Sequence, residues 1–289
     1  MYLMNSLFKL QKILGIFFLV SLSVFVITFF LQNRLPDKSL IDPSLFNKPV
    51  QKTTETKKFE VNTSDLTYEI TPLYDYELNG LVVSVANNEV WYSRFRKSDP
   101  LNTKDICVVY GKNIENSVYQ NAKFYSEEFV CFFKTDDNAV YAKFSNEDLS
   151  NNHLLAAKNN NASVYEELRK AKVGDQVSLK GYLAEYSAKK NNTSTGIGRS
   201  SSTTRTDTGM GACEAIYLTD FKILKTGNPE ISMINIFSKY FSVIFLIGYL
   251  LILLYPMHSS RDYGGGTLNE PTAPSLDDLL PTNLTHKNK

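Results

Sequence analysis

Two long apolar runs near the ends of the chain constrain it more than any other feature. From Ile13 to Leu31 the sequence reads ILGIFFLVSLSVFVITFFL without a charge. At about 1.5 Å per helical residue it can cross a hydrocarbon layer of about 30 Å. A cleaved leader would have a shorter apolar stretch and a small-residue site. This run instead continues through Phe29 and Phe30 into Gln32, Asn33 and Arg34, so an uncleaved anchor is expected. The second run, from Ile234 to Tyr255, contains FSVIFLIGYLLILLY and stops at Pro256. Lys239 and Tyr240 stand near one end, where an amine can snorkel and a phenol can sit at the interface. A buried core helix is the competing reading, and the length and aromatic ends argue against it.

Lys9 and Lys12 precede the first span and Arg261 follows the second, which places both termini in the cytoplasm. Arg34, Lys38 and Lys48 count the other way, but long loops translocate largely regardless of charge. The expectation is a two-pass protein of the inner (cytoplasmic) membrane. Residues 1–12 and 257–289 would lie inside, spans would cover 13–31 and 234–255, and a domain over 67–228 would lie outside. An exported domain makes Cys107 and Cys131 candidates for a disulfide. Three cysteines are otherwise too few for a disulfide scaffold. With 31 basic and 30 acidic residues the net charge is only +1, so no broad basic surface for nucleic acid is expected.

Residues 32–66 are polar, carry Pro36, Pro43 and Pro49, and show no sustained period, so they read as a linker. From Tyr68 the texture changes to short runs rich in Val, Tyr and Phe, cut by Asn, Gly and Asp, which suits an antiparallel sheet. Gly80–Ala86 and Glu89–Phe95 flank Asn87 and Asn88 and predict a hairpin. Further strands are expected over 105–110, 118–125, 128–134 and 139–144. Ser163 and Glu166 have capping-box spacing ahead of one short helix, with Gly174 as its left-handed stop. Val173–Tyr186 then alternates, with Val177, Leu179, Tyr182 and Leu183 facing a core after a bulge at Gly181, and Cys213–Leu224 forms the last strand. The predicted class is α+β, mainly antiparallel β: a small OB-like or half-closed barrel with one short helix, between two transmembrane helices. The tail from Met257 has no apolar period and reads as disordered. Within it, Leu276, Leu279 and Leu280 of SLDDLLP could form a docking peptide for a cytoplasmic partner, or belong to a solvated tail.

One loop, Gly196–Glu214 (GIGRSSSTTRTDTGMGACE), is dense in small residues, hydroxyls and charge. Ser201, Ser202, Thr204, Arg205, Asp207, Thr208, Gly209, Gly211, Ala212, Cys213 and Glu214 form a motif S-S-x-T-R-x-D-T-G-x-G-A-C-E. In this motif the chain resembles a family of uncharacterised bacterial membrane proteins with an extracytoplasmic domain. The likeness extends to Trp91 and Tyr92, to Asn152, His153 and Leu154, and to the GDQVSLKGYL strand, covering roughly residues 80–225. The segment before Ser201 is shorter than in the family, where tryptophan is common, and Cys107 is outside the pattern. The resemblance implies a topology and a site without implying a reaction.

The residue types in the loop allow three readings. Arg199 and Arg205 with Ser201, Ser202, Thr204, Thr208 and glycine amides could bind an anion, although the glycine spacing is not that of a P-loop. Cys213 could be a nucleophile with His153 as base and Asp207 or Glu214 as orienter. Alternatively the loop is architectural: Asp207 caps its turn through Gly209, Arg205 clamps a carboxylate, and Cys213 is a small buried hydrophobe. Histidines and cysteines lack metal-ligand spacing, and no metal or other cofactor is expected. The leading expectation is a binding or assembly module for a protein partner in the envelope, a peptide or a small anionic ligand. Its site would be Arg199, Ser201, Ser202, Thr204, Arg205, Asp207, Thr208, Gly209, Gly211, Cys213 and Glu214. An envelope hydrolase or thiol-exchange enzyme is the rival.

Overall fold

The computed structural model describes residues 2–63, 65–87, 99–127, 130–207 and 212–259. The partner strand expected over 89–95, with Trp91 and Tyr92, lies outside them, as do Thr208, Gly209, Gly211 and the tail leucines. In chain order the elements are α1 (Tyr2–Leu31), β1 (Val50–Thr53), β2 (Phe59–Asn62), β3 (Thr67–Asn87), β4 (Asn102–Val109), α2 (Gly111–Glu115), β5 (Lys123–Glu127), β6 (Val130–Lys134), α3 (Asn138–Lys143), β7 (Leu149–Leu155), α4 (Ala162–Lys170), β8 (Gln176–Lys190), β9 (Thr193–Ser200), β10 (Cys213–Lys225) and α5 (Pro229–Ser259). The architecture is mixed α+β and rich in sheet, with two apolar terminal helices.

The chain divides into two compact units, Met1–Leu22 with Tyr240–Lys289, and Ser23–Lys239. Both α1 and α5 are long and apolar enough to cross a membrane, as expected of a two-pass protein. In the first unit the helices meet through small and aromatic residues. Phe17 stacks on Phe245 at 5.4 Å, the Ser242 and Ser21 hydroxyls lie 3.0 Å apart, and Gly15 leaves room for the Tyr249 ring. Small residues and polar pairs hold helices together where both faces are apolar. The second helix continues through Pro256, the expected stop, to Ser259.

In the second unit β3, 21 residues long, is the organising strand. It pairs antiparallel with β1, β2, β4 and β8. β4 pairs with β7, β7 with β10 in parallel, and β10 with β8, so the pairings lead from β3 through β4, β7, β10 and β8 back to β3. β9 lies outside β8. Residues alternate between two buried faces: Leu154, Ile216 and Leu218 enter one core with Val164 and Leu168 of α4, while Leu155, Ala215 and Tyr217 enter another with Tyr68 and Ile70. Burial on both faces explains the near-continuous apolar runs such as DICVVY and GLVVSVA.

Several expectations need correction. The supposed linker over 32–66 is folded onto the sheet. Asp37 and Asp42 each accept from the amide two residues on and so start one-turn helices, Lys38–Leu40 and Pro43–Phe46. Ile41 and Leu45 are buried beside Leu81 and Val109, and β1 and β2 follow. Isolated apolar residues spaced by caps carry no period, which is why the segment read as irregular. The strand expected over 139–144 is α3, because Asp137 caps it through the Ala139 and Val140 amides. Val118–Asn121 is a 3-10 turn preceding β5. α4 is capped by Asn161 rather than Ser163, and its last carbonyls are met by the buried Lys104 ammonium, so Gly174 is not its stop. With α2 and α3, α4 is not the only short helix. The bulge opposite Gly181 sits on β10, where Thr219 is the extra residue between Leu218 and Asp220.

Candidate functional site

A cleft of about 230 Å³ opens between the β5–β6 hairpin, the start of β7 and the loop before β10. Its walls include Phe132, Phe133 and Tyr110, and its polar lining includes Glu147, Arg205, Asp207 and Glu214. The hairpin is held by ring stacking, with Tyr125 on Phe132 at 5.1 Å and Phe133 on Phe144 at 3.7 Å. A disulfide joins Cys131, which lines the cleft, to Cys107 of β4 with Cα atoms 6.0 Å apart. Replacing both cysteines with alanine is expected to lower stability by about 2–4 kcal/mol. A melting temperature measured on the solubilised chain should fall by a similar step when reductant is added. No change in reductant would mean that the stacked rings alone hold the hairpin.

Glu214, the second residue of β10, is 4% exposed. One carboxylate oxygen pairs with the Arg205 guanidinium and the other accepts from Ser150 Oγ of β7 at 2.9 Å. Arg205 also donates to the Tyr76 hydroxyl at 2.8 Å and lies 5.3 Å from the centre of that ring. Burial pushes the Glu214 carboxyl up to about 7, against the opposing pull of Arg205 and Ser150. Ser150 Oγ also lies 3.0 Å from Asn152 Oδ1. It has one hydrogen for two acceptors, so a protonated Glu214 lets the chain run from Glu214 through Ser150 to Asn152. Burial likewise raises Tyr76 well above the ordinary phenol range. For Arg205, burial lowers the pKa but is outweighed by Tyr76, Glu214 and Tyr110, which raise it.

The candidate loop divides its labour. Ser201 accepts from the Ala215 amide at 3.1 Å, and the Ser202 amide donates to the Cys213 carbonyl at 3.1 Å, so this part is stitched to β10. Ser202 Oγ donates to Asp207 and accepts from the Thr204 amide. Only Arg205, Asp207, Ala212 and Glu214 of the described loop line the cleft. Arg199 lies on β9, paired in register with Tyr186. Cys213 has the opposite parity to Glu214 along β10, and it is 1% exposed.

The nucleophile set does not converge. Burial pushes the Cys213 thiol far above its usual range, whereas a reactive thiol needs it lowered. The His153 ring nitrogens face Asp105 at 2.9 Å and Tyr186 at 2.8 Å instead, and Asp207 and Glu214 open on the cleft. Tyr76, Tyr110, Glu147 and Ser150 were not anticipated. Tyr76 and Ser150 lie on β3 and β7, Tyr110 and Glu147 just outside strands, and only the folding together of these distant segments gives them a common place. Among the described residues, no group of three His, Cys, Asp or Glu side chains is arranged to hold a metal ion. Compared with known proteins, the chain matches no family model, no curated protein and no solved structure.

Proposed function

We propose that the chain is a membrane-anchored binding or assembly module whose central domain takes a donor-rich, basic segment of a peptide or protein partner in the cleft beside Glu214. The observation that carries the reading is the lining itself. Three carboxylates, Glu147, Asp207 and Glu214, stand against one guanidinium among aromatic rings, a lining that suits amines and guanidiniums by charge and by cation–π contact. Glu147 is also met by the exposed Lys48 at 3.5 Å, a weak surface pair that a ligand could displace. A small anion fits less well, because Arg205 is committed to Glu214 and Tyr76, and recruiting it would strand a buried carboxylate.

The central domain is an OB-like closed barrel in this reading. Support comes from the ring of pairings through β3, β4, β7, β10 and β8, the parallel β7/β10 pair, and the placement of α4 between β7 and β8. The cleft then lies on the face and loops that such barrels use for ligands, which is an argument by analogy. The domain lies outside the cytoplasm of a bacterial inner membrane. The N-terminal lysines, the two apolar helices and the Cys107–Cys131 disulfide support that side. Membership in the family with the S-S-x-T-R-x-D-T-G-x-G-A-C-E motif is part of the same proposal.

The test is photo-crosslinking in intact cells from a benzophenone amino acid placed at Phe132. One discrete partner adduct is expected, reduced at least about tenfold by Asp207→Lys, since like-charge juxtaposition costs several kcal/mol. An adduct unaffected by Asp207→Lys in a folded variant would count against the acidic cleft as the site.

A further inference from the structure

We propose that the occupant of the acidic cleft is an extended segment of a partner protein, bound as an added strand on the open edge of β6, with lysine or arginine at every second position. This rests on the cleft beside Glu214 as the binding site and says how that site holds its ligand.

The cleft is lined by four consecutive residues of β6: Val130, Cys131, Phe132 and Phe133. Successive side chains of a strand point to opposite faces. On the face towards the large sheet, Cys131 is joined to Cys107 and Phe133 stacks on Phe144. On the other face Phe132 stacks on Tyr125, which is 46% exposed. What four neighbours of alternating direction share is the edge of their strand. Among the described residues β6 pairs with β5 alone, and no described residue of β5 lines the cleft. An antiparallel strand with one neighbour turns the amide and carbonyl of every second residue away from it. The backbone donors and acceptors of β6 that β5 does not take therefore face the cleft.

Such an edge invites another strand unless it is blunted. The strands β1 and β2 have four residues each and carry Lys52 and Glu60, and β9 is interrupted by Gly196 and Gly198 at positive φ. Over Val130–Phe133 there is no charge, proline or glycine. This bare edge suits strand addition, in which main-chain hydrogen bonds give affinity and alternate side chains give specificity.

Charge selects the occupant. Glu147 and Asp207 lie in the segments leading into β7 and β10, and Glu214 lies on β10 itself. Together they make the wall opposite β6 acidic. The side chains of an added strand alternate as well, so basic residues at every second position can turn to this wall while those between extend the row of Tyr125 and Phe132. The β6 strand of a second copy brings only Lys134, at the end of VCFFK, and fits less well.

The test is binding of a fluorescently labelled peptide of alternating lysine and valine, blocked at both ends, to the full-length chain in neutral detergent micelles, read by fluorescence anisotropy. Two further peptides are N-methylated at every lysine or at every valine, so that each loses the hydrogen-bond donors of one edge. The unmodified peptide is expected to bind. Asp207→Lys, or Glu147→Lys where the first variant does not fold, is expected to weaken it at least about tenfold. One N-methylated peptide should lose at least about tenfold and the other bind within about twofold of the parent, the direction of the added strand deciding which. Equal affinity of all three peptides, or equal loss in both N-methylated ones, overturns strand addition; sensitivity to Asp207→Lys in the same experiment leaves the acidic cleft standing. No binding at about 1 mM peptide, or binding indifferent to the lysine variants, overturns both. A chain that is dimeric in the micelles and takes the peptide only as it dissociates makes a second copy the occupant, which also overturns the proposal.

Discussion

Replacing Gly181 with alanine is expected to unfold the central domain or cost it about 3 kcal/mol, the upper range for overpacking. A methyl group there would stand 2.0 Å from the Tyr217 carbonyl oxygen and 3.1 Å from Leu218 Cα. Both are backbone atoms of β10, so no side-chain rotation relieves the clash. Thr219 is the extra residue of β10 just beyond this contact, between Leu218 and Asp220. β8 joins β3 on one side and β10 on the other, so separating β8 from β10 breaks the circuit of pairings. Thermal unfolding of the solubilised chain, with the exposed Lys180→Ala as control, checks this. A parental melting temperature for Gly181→Ala would mean that the strands are further apart than described.

Arg205→Met is expected to destabilise the domain by about 3–5 kcal/mol at pH 8, because removing one partner leaves the other charge buried and unpaired. At pH 5 the loss should shrink to about 1 kcal/mol, the scale of the lost hydrogen bonds, since the carboxyl is then protonated. The same carboxyl sets a pH slope in the parent. Glu214 is raised from 4.5 to about 7, so across that window the unfolded chain releases a proton that the folded chain keeps. Stability present at low pH is therefore lost as the pH rises towards 7, by on the order of 3 kcal/mol. Asp175, also raised by burial, adds a slope of the same sign. The difference between parent and Glu214→Gln isolates Glu214, and the variant should show the flatter profile in denaturant titrations between pH 4.5 and 8. Parallel profiles would mean that Glu214 titrates as an ordinary surface carboxylate.

Much of this protein follows from local pattern alone. The two apolar helices are legible because a lipid-spanning backbone must satisfy itself internally, which demands an uninterrupted apolar run. β8, β10 and α4 are legible for a related reason: each carries its own period, although α4 is capped by Asn161 and not by the Ser163 that its spacing suggested. Asp37, Asp42 and Asp137 also act locally, yet a cap followed by one helical turn has no period to display, so 32–66 read as linker and 139–144 as strand. The cleft was half legible. Arg205, Asp207 and Glu214 stand close together in an unusual loop, but Tyr76 and Ser150 join them only because β3, β7 and β10 meet in one sheet. The open edge of β6 was further out of reach, since the run VCFFK predicts a strand but not which of its edges lacks a neighbour. Sequence decided which residues prefer lipid, a strand or a cap, because those preferences are settled within a few residues. Only the tertiary structure decided which polar groups are buried together and how their protons are shared, because that depends on pairings between strands far apart in the chain.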